Sequence, residues 1–347
     1  MSTLFRLLRL LSVFRWQMAA AVALGVVTIG SGIGLMGTAA FLISSAALRP
    51  SVAELQVAIV GVRFFGLSRG VFRYLERLVS HDVTLRLLGR LRRWFFRALE
   101  PLVPARALEL EMRSSDLLTR VVTDVESLQE LFIRAVAPPL VAVVVAFGAG
   151  AILGAYAPEL AVVFVLAFAA TAVVIPLGTL HLGRAIAHQL TSRRSELAAA
   201  VVDGIQGMAD LFASGQGRSQ LKRVDELSRS SSFLRERAAR IEALGVAGVT
   251  FATHATAWLV LVSAIPMVEE GRMTGVGVAV VCLVAMAAFE AVQPLPAAAR
   301  GLSEQLAAAD RVFAILDVKP AVSDAEDPVA EARMDGGAAV DLRGAFF

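Results

Sequence analysis

Six runs of mainly apolar residues recur along this 347-residue chain. Each run is long enough to cross a bilayer, because a helix needs about 20 apolar residues to span the hydrocarbon. Hydrophobic residues make up 57% of the chain and the mean hydropathy is +0.69, whereas soluble proteins are about 45–50% apolar. We therefore predict an all-α membrane protein. Its six transmembrane helices are predicted at residues 16–45, 55–80, 135–156, 159–182, 243–268 and 275–293.

The positive charges of the chain are unevenly placed, although the formal net charge is only +3. Nine basic residues lie within 86–134 and ten within 184–240, whereas the short connections at 46–56 and 266–274 hold one each. Cytoplasmic loops of membrane proteins carry the excess of arginine and lysine. Both long segments and both termini are therefore predicted to be cytoplasmic. A basic balance of this kind indicates orientation in a lipid bilayer and not nucleic-acid binding.

The two basic segments are predicted to form long helical hairpins. From Val57 to Glu100 the sequence has no proline, and apolar residues continue at helical spacing beyond the membrane. Such a helix would be about 65 to 70 Å long, roughly twice the thickness of the hydrocarbon. Segment 184–240 repeats the pattern around the break "SGQGRS". Residues 1–316 are expected to form this membrane domain, and the acidic residues 317–347 a linker into a following domain.

The second apolar run carries charged residues on one side of its helix, at about 100° per residue. A charge in the hydrocarbon costs at least about 2.5–3.5 kcal/mol, so this side should face a wet cavity, a partner or a ligand. The alternative is structural pairing with neighbouring helices, or side chains that reach the cytoplasmic edge. The candidates for an anion-attracting cavity wall are Arg63, Arg69, Arg73 and Glu76, followed by Arg77 and His81. The opposite face is predicted to hold Phe64, Leu67, Val71, Phe72, Leu75, Leu78 and Val79.

His81 lies one helical turn after Arg77 on the charged side. A neutral imidazole can bind haem iron axially, and an arginine one turn away can pair with a haem propionate. From these residues alone, a plain polar contact for His81 is the simpler interpretation.

Five motifs of the sequence are informative: "GLMGTAAFLISSAAL", "FRYLERLVSHDVTLRLL", "LLTRVVTDVESLQELFIRAVAPPL", "VVDGIQGMADLFASGQ" and the terminal "RVFAILD". They resemble the CydC family of ABC exporter subunits. The resemblance implies the type 1 ABC exporter transmembrane domain and a CydD-like partner subunit in the bacterial inner membrane. It also implies export of small thiols, cysteine or glutathione, in support of cytochrome bd assembly, and haem bound through His81 with Arg77 on a propionate.

The same resemblance implies that ATP and magnesium act through a nucleotide-binding domain that would begin within 317–347. This sequence has no phosphate-binding loop of the form G-x-x-x-x-G-K-[ST], so we expect no ATP hydrolysis by this stretch alone. ABC exporters dock into that domain through short helices at their hairpin tips. The candidates for this coupling are Leu108, Glu109 and Leu110 at the first tip and Asp210, Leu211 and Phe212 at the second.

Two other functions stay open on the sequence. One is half of a general lipid or drug exporter, which shares the hairpins. The other is a non-transporting membrane scaffold that senses haem and uses its hairpins to hold a signalling domain. A phosphate-binding loop downstream of this sequence would distinguish a transporter from a scaffold.

Overall fold

The computed structural model describes residue 6 and residues 12–100 and 124–318. Within these ranges all regular structure is helical, which confirms the predicted all-α class. Six helices are long and apolar enough to cross a membrane, in the predicted order. They are Ser12–Ala46, Val52–Leu99, Phe132–Tyr156, Pro158–Gln206, Gly217–Glu269 and Gly275–Ala314, the last of which combines two helices and the turn between them.

We number the α-helices α1 to α9. A short 3-10 turn precedes α1, a π-helical turn at Phe132–Val136 precedes α4, and a 3-10 turn at Phe289–Ala291 follows α8. The helices are α1 Arg15–Ala46, α2 Val52–Leu99, α3 Val125–Gln129, α4 Ala137–Tyr156, α5 Pro158–Gln206, α6 Met208–Ala213, α7 Gly217–Glu269, α8 Gly275–Ala288 and α9 Leu295–Leu316.

Three tight connections lie at one end of the bundle, which we call the short-loop end. Before α2, the backbone N–H and hydroxyl of Ser51 both donate to the Glu54 carboxylate. Pro158 opens α5 directly after the extended Ala157, a position where the missing N–H of proline costs no hydrogen bond. At α8, the Thr274 hydroxyl accepts the N–H of Gly277 at 3.2 Å. These local caps explain why the chain reverses within a few residues here.

The opposite end, the hairpin end, carries the long extensions. Helix α2 has 48 residues, α5 has 49 and α7 has 53, which gives lengths of about 70 to 80 Å. Helices α5, α6 and α7 form the second predicted hairpin, and the chain breaks at 214–216 beside Gly215, whose φ is +70°. The tip of the first hairpin, with Leu108, Glu109 and Leu110, lies outside the described residues, as does the linker from 319 onward.

Two apolar clusters hold the helices together. One lies toward the short-loop end and joins α1, α4, α5, α7 and α8; its fully buried side chains include Leu153, Phe164, Val260 and Val281. The other lies toward the hairpin end and joins α2, α3 and α9 through side chains such as Leu87, Phe95, Phe132 and Val312. The second cluster ties the helix that leads out of the membrane domain to the first hairpin.

Candidate functional site

Helix α2 presents three different faces: a side packed against the chain, an exposed charged side and an exposed apolar side. Phe65, Phe72, Val83 and Leu87 lie on the side that packs against the rest of the chain. The predicted charged side is exposed along its whole length, and we call it the basic strip. Its members are Arg63, Gly66, Gly70, Arg73, Arg77 and His81, with Arg69 and Glu76 half-buried at its packed edge.

The predicted apolar face opposite the charges is partly packed and partly exposed. Phe72, Leu75 and Val79 are half-buried, but another group of the same set is exposed. Because α2 lies at the edge of the bundle, its apolar surface divides into a side packed on neighbours and a side turned outward. The outward residues are Phe64, Leu67, Val71 and Leu78, which are 55–73% exposed.

The basic strip runs from the centre of the hydrocarbon to beyond its edge. Counted along α2 from the short-loop end at about 1.5 Å per residue, Arg63 lies at about 16 Å, Arg69 at about 26 Å and His81 at about 44 Å. The hydrocarbon is about 30 Å thick. Arg63 and Arg69 are therefore within membrane depth, whereas Arg77 and His81 lie past it on the hairpin side.

Glu290 is the acidic partner of the strip, and the sequence reasoning missed it. Nη2 of Arg69 donates to both carboxylate oxygens of Glu290, at 2.8 and 2.9 Å, and Nη2 of Arg73 donates to Oε1 at 2.7 Å. Glu290 is the single charged residue within the sixth apolar run, 275–293. This isolated charge could have identified Glu290 from the sequence, since an ionisable residue at membrane depth marks a functional site by default.

The local fold explains why Glu290 meets these arginines. Its neighbour Phe289 is buried against Phe168 and Phe164, with ring centroids 5.3 and 6.3 Å apart. The 3-10 turn after α8 then directs Glu290 toward α2. Gly32 of α1 leaves space beside the pair, because a Cβ there would lie 3.4 Å from Oε2 of Glu290 and 3.5 Å from Cζ of Arg69.

The other predicted site residues have few partners within the described ranges. The Glu76 carboxylate accepts the Ser80 hydroxyl at 2.8 Å, which is a contact within α2. Arg63, Arg77 and His81 make no hydrogen bond or ion pair within the described part of the chain, and all three are exposed. The structure thus brings Arg69 and Arg73 together on the Glu290 carboxylate. The side chains of Arg63, Arg77 and His81 stay exposed.

The second predicted coupling segment is a separate short helix, α6, at the tip of its hairpin. Phe212 is 77% exposed there, Asp210 is exposed and Leu211 is half-buried. An exposed phenylalanine at the end of a long polar hairpin is suited to docking against another surface. The docking itself stays a prediction.

Charged contacts join α9 to the first hairpin. The Arg311 guanidinium donates to both oxygens of the buried Asp124, at 2.6 and 2.9 Å. Beyond α9, Arg6 donates to both oxygens of Asp317 at 2.8 Å and its guanidinium lies 4.3 Å from the ring of Phe313. The hydrogen bonds from Arg6 hold the pKa of the Asp317 carboxyl below its ordinary value. These contacts connect the N-terminal segment, α9 and the first hairpin.

Comparison with known proteins identifies the family of this membrane domain. Residues 16–291 match the ABC transporter transmembrane region, and the chain belongs to this family. The resemblance to CydC inferred from the motifs is confirmed by the relatives that the chain matches.

Three relatives define the similarity. The Escherichia coli glutathione/L-cysteine transport system ATP-binding/permease protein CydC is 30% identical over 337 residues, 91% of this chain and 56% of that protein. The Haemophilus influenzae CydC protein is 27% identical over 332 residues, 93% of this chain and 56% of its own length. The Bacillus subtilis CydD protein is 35% identical over 194 residues, 56% of this chain and 33% of its length. The chain spans about half the length of the CydC relatives.

Proposed function

We propose that this chain is the membrane-spanning part of one subunit of an ATP-driven exporter of small thiols, cysteine or glutathione. It would act with a CydD-type partner in a bacterial inner membrane, with both termini in the cytoplasm, and serve cytochrome bd assembly. The observation that carries the proposal is the open basic strip, where four arginines outnumber the two carboxylates of Glu76 and Glu290. The names of the relatives support the substrate class.

The charge of the strip suits this class of substrate. Cysteine and glutathione carry α-carboxylates, whose pKa of about 3.3–3.7 keeps them ionised in the cytoplasm. Guanidinium groups bind carboxylates through charge-assisted hydrogen bonds. Arg63 lies at the depth where a cargo crossing the membrane must pass, and it is free to bind one. A neutral lipid or drug would gain nothing from such a surface.

ATP would drive the cavity between inward-open and outward-open states. The energy would reach the membrane through the hairpins, because they extend from the bundle toward the side where a nucleotide-binding domain would lie. Within the described residues, α6 is the element positioned to receive that domain. A cargo can shift the equilibrium between the inward-open and outward-open states only if it binds one of them more tightly than the other.

Haem binding at the hairpin-side end of the strip is part of the proposal. His81 is exposed and makes no hydrogen bond within the described ranges, so an imidazole nitrogen is available as an axial ligand. Arg77, one turn away and likewise open, would pair with a propionate. The exposed Tyr74 and Leu78 offer apolar surface for a porphyrin beside them. A bound haem would supply a redox-active iron at the cytoplasmic mouth of the cavity.

The test is ATP-dependent uptake of labelled glutathione into inside-out vesicles that contain the full-length protein and its CydD-type partner. The double variant Arg63→Ala, Arg73→Ala should reduce uptake at low glutathione concentration by about tenfold or more, since hydrogen bonds between charged groups contribute about 1.5–3 kcal/mol. Arg235→Ala, which removes an exposed arginine from the second hairpin, is the matched control. Unchanged uptake in the double variant would contradict the proposal, and ATP-dependent uptake of a neutral drug in place of glutathione would favour a general exporter.

A further inference from the structure

Glu290 is held by Arg69 and Arg73 without being locked in place. About 27% of the Glu290 side chain and 55% of the Arg73 side chain are exposed. The carboxylate therefore borders the open strip and is not sealed in the core. It lies in a 3-10 turn between α8 and α9, where the regular helical hydrogen bonds are already interrupted. A side chain at such a position can move away from its partners at small cost to the backbone.

The two guanidinium groups have unused binding capacity. Each of them contacts Glu290 through Nη2 alone. A guanidinium carries five N–H donors, so most of the donors of Arg69 and Arg73 make no hydrogen bond to the residues that the structure describes. One negative charge also leaves the pair of arginines with a net positive charge, beside Arg63 and Arg77, which have no ionic partner in the same described ranges. The cluster is therefore built to hold more negative charge than Glu290 provides.

We propose that Glu290 is an internal competitor of the cargo. Its carboxylate occupies Arg69 and Arg73 while the cavity is empty, and a carboxylate of the cargo takes its place on the same two guanidinium groups. This inference rests on the proposed function, in which the cargo carries a carboxylate. It assigns Glu290 the role of setting affinity: the exchange keeps Arg69 and Arg73 paired when no cargo is bound, and it lets the cargo leave again.

The size of the effect follows from the occupancy of the arginines. A ligand that binds only when they are free has an apparent dissociation constant equal to its intrinsic constant divided by the free fraction. If Glu290 occupies them nine-tenths of the time, its removal should tighten cargo binding about tenfold. A ligand without carboxylates should bind equally well with or without Glu290.

The experiment uses the full-length protein with its partner subunit in lipid nanodiscs and measures dissociation constants by calorimetry. The probes are S-methylglutathione, which has both carboxylates and no thiol, and glutathione diethyl ester, which has a thiol and no free carboxylate. Glu290→Gln keeps the size and polarity of the side chain and should bind S-methylglutathione about tenfold more tightly than wild type, with the ester unchanged. Glu159→Gln is the matched control, because it removes a carboxylate that pairs with Arg272 at the short-loop end. It should change neither constant.

Glu290→Asp provides a second test if the glutamine variant does not fold. Its shorter side chain cannot span both arginines, so it should tighten binding of S-methylglutathione to an intermediate degree. Unchanged or weaker binding of S-methylglutathione, equal changes for the ester, or no binding to any of these proteins would each overturn the inference. The thiol substrate is tested separately: tighter binding in Glu290→Gln without vesicle uptake of glutathione would support the internal competitor and overturn thiol export.

Discussion

Gly34 lies where α1 packs tightly against α2. A Cβ at this position would lie 2.6 Å from Cε1 of Phe65, a distance that side chains do not adopt. Gly37 plays a similar part toward α8, where a Cβ would lie 3.1 Å from Val284, and Gly32 borders the Glu290 ion pair. These three glycines of α1 therefore leave space for Phe65, Val284 and the Glu290 ion pair, respectively. Small residues let membrane helices approach closely, and here they let α1 pack against both α2 and α8.

Gly34→Ala should destabilise the protein although alanine is the better helix former. The methyl group would displace Phe65, and overpacking of this kind costs about 1–3 kcal/mol. Gly30→Ala is the matched control, because a Cβ there meets no atom within 4 Å. Replacing glycine in an exposed helix can stabilise by up to about 1 kcal/mol. Thermal unfolding of the purified complex should show a lower midpoint for Gly34→Ala only. Equal midpoints would mean that Phe65 moves freely.

His81 and Arg77 should differ in their effect on haem. His81→Ala should abolish the haem absorbance of the complex purified with haem supplied, because a methyl group cannot replace the iron ligand. Arg77→Ala should weaken haem retention without changing the ligation, since a propionate contact makes no bond to iron. His254→Ala, an exposed histidine on α7, is the control. An unchanged Soret band in His81→Ala would assign His81 to a plain polar contact.

At the scale of elements, α6 differs from the helices that flank it. It has six residues, is separated from α5 by Gly207 and from α7 by the turn at Gly215, and buries none of its side chains fully. Its conformation therefore owes little to packing within the chain. An element with this little internal support, placed at the tip of a hairpin, is stabilised best by a partner surface.

Replacing both Leu211 and Phe212 with Asp should uncouple transport from ATP hydrolysis in the full-length protein. The substitutions place two charges in a contact that we expect to be apolar, where an unpaired charge is costly. Leu221→Asp is the control, because this residue is 71% exposed on the same hairpin but beyond its tip. Glutathione-stimulated ATPase activity should fall for the double variant alone, with unchanged amounts of complex in the membrane. Normal stimulation would contradict the docking of α6.

At the scale of the whole molecule, one six-helix set leaves its charged surface open. In the most apolar part of α2 only 6% of residues are buried within the chain. Arg63 and Arg69 cannot face the hydrocarbon without a high cost, so we expect a second subunit to cover the strip or to enclose a wet cavity with it. Asp124 and Arg311 join helix α9 to the first hairpin, and we expect these two elements to move together with that cavity.

We expect an obligate dimer with a CydD-type subunit. Co-expression with the neighbouring exporter subunit should give a one-to-one complex on purification, whereas this protein expressed alone should aggregate or be degraded. Mass photometry of the purified material in nanodiscs measures the stoichiometry. A stable monomer that transports glutathione would contradict this expectation.

The sequence by itself determined the features that depend on neighbouring residues. The six spans follow from hydropathy over about 20 residues, the long hairpins from continuous helical periodicity without proline, and the basic strip from spacing along α2. Each of these needs only residues within a few helical turns of one another. Arg63, Arg77 and His81 lie exposed on one side of α2, and their chemical roles stay predictions.

The tertiary structure decided which distant groups meet. Arg69 and Glu290 are 221 positions apart, and Asp124 and Arg311 are 187 apart. No local pattern pairs them, because the contact depends on how α1, α2 and α8 pack and on the 3-10 turn that redirects Glu290. The division of the apolar surface of α2 into packed and outward faces has the same origin. Periodicity shows which residues share a side of a helix, but only packing shows what that side faces.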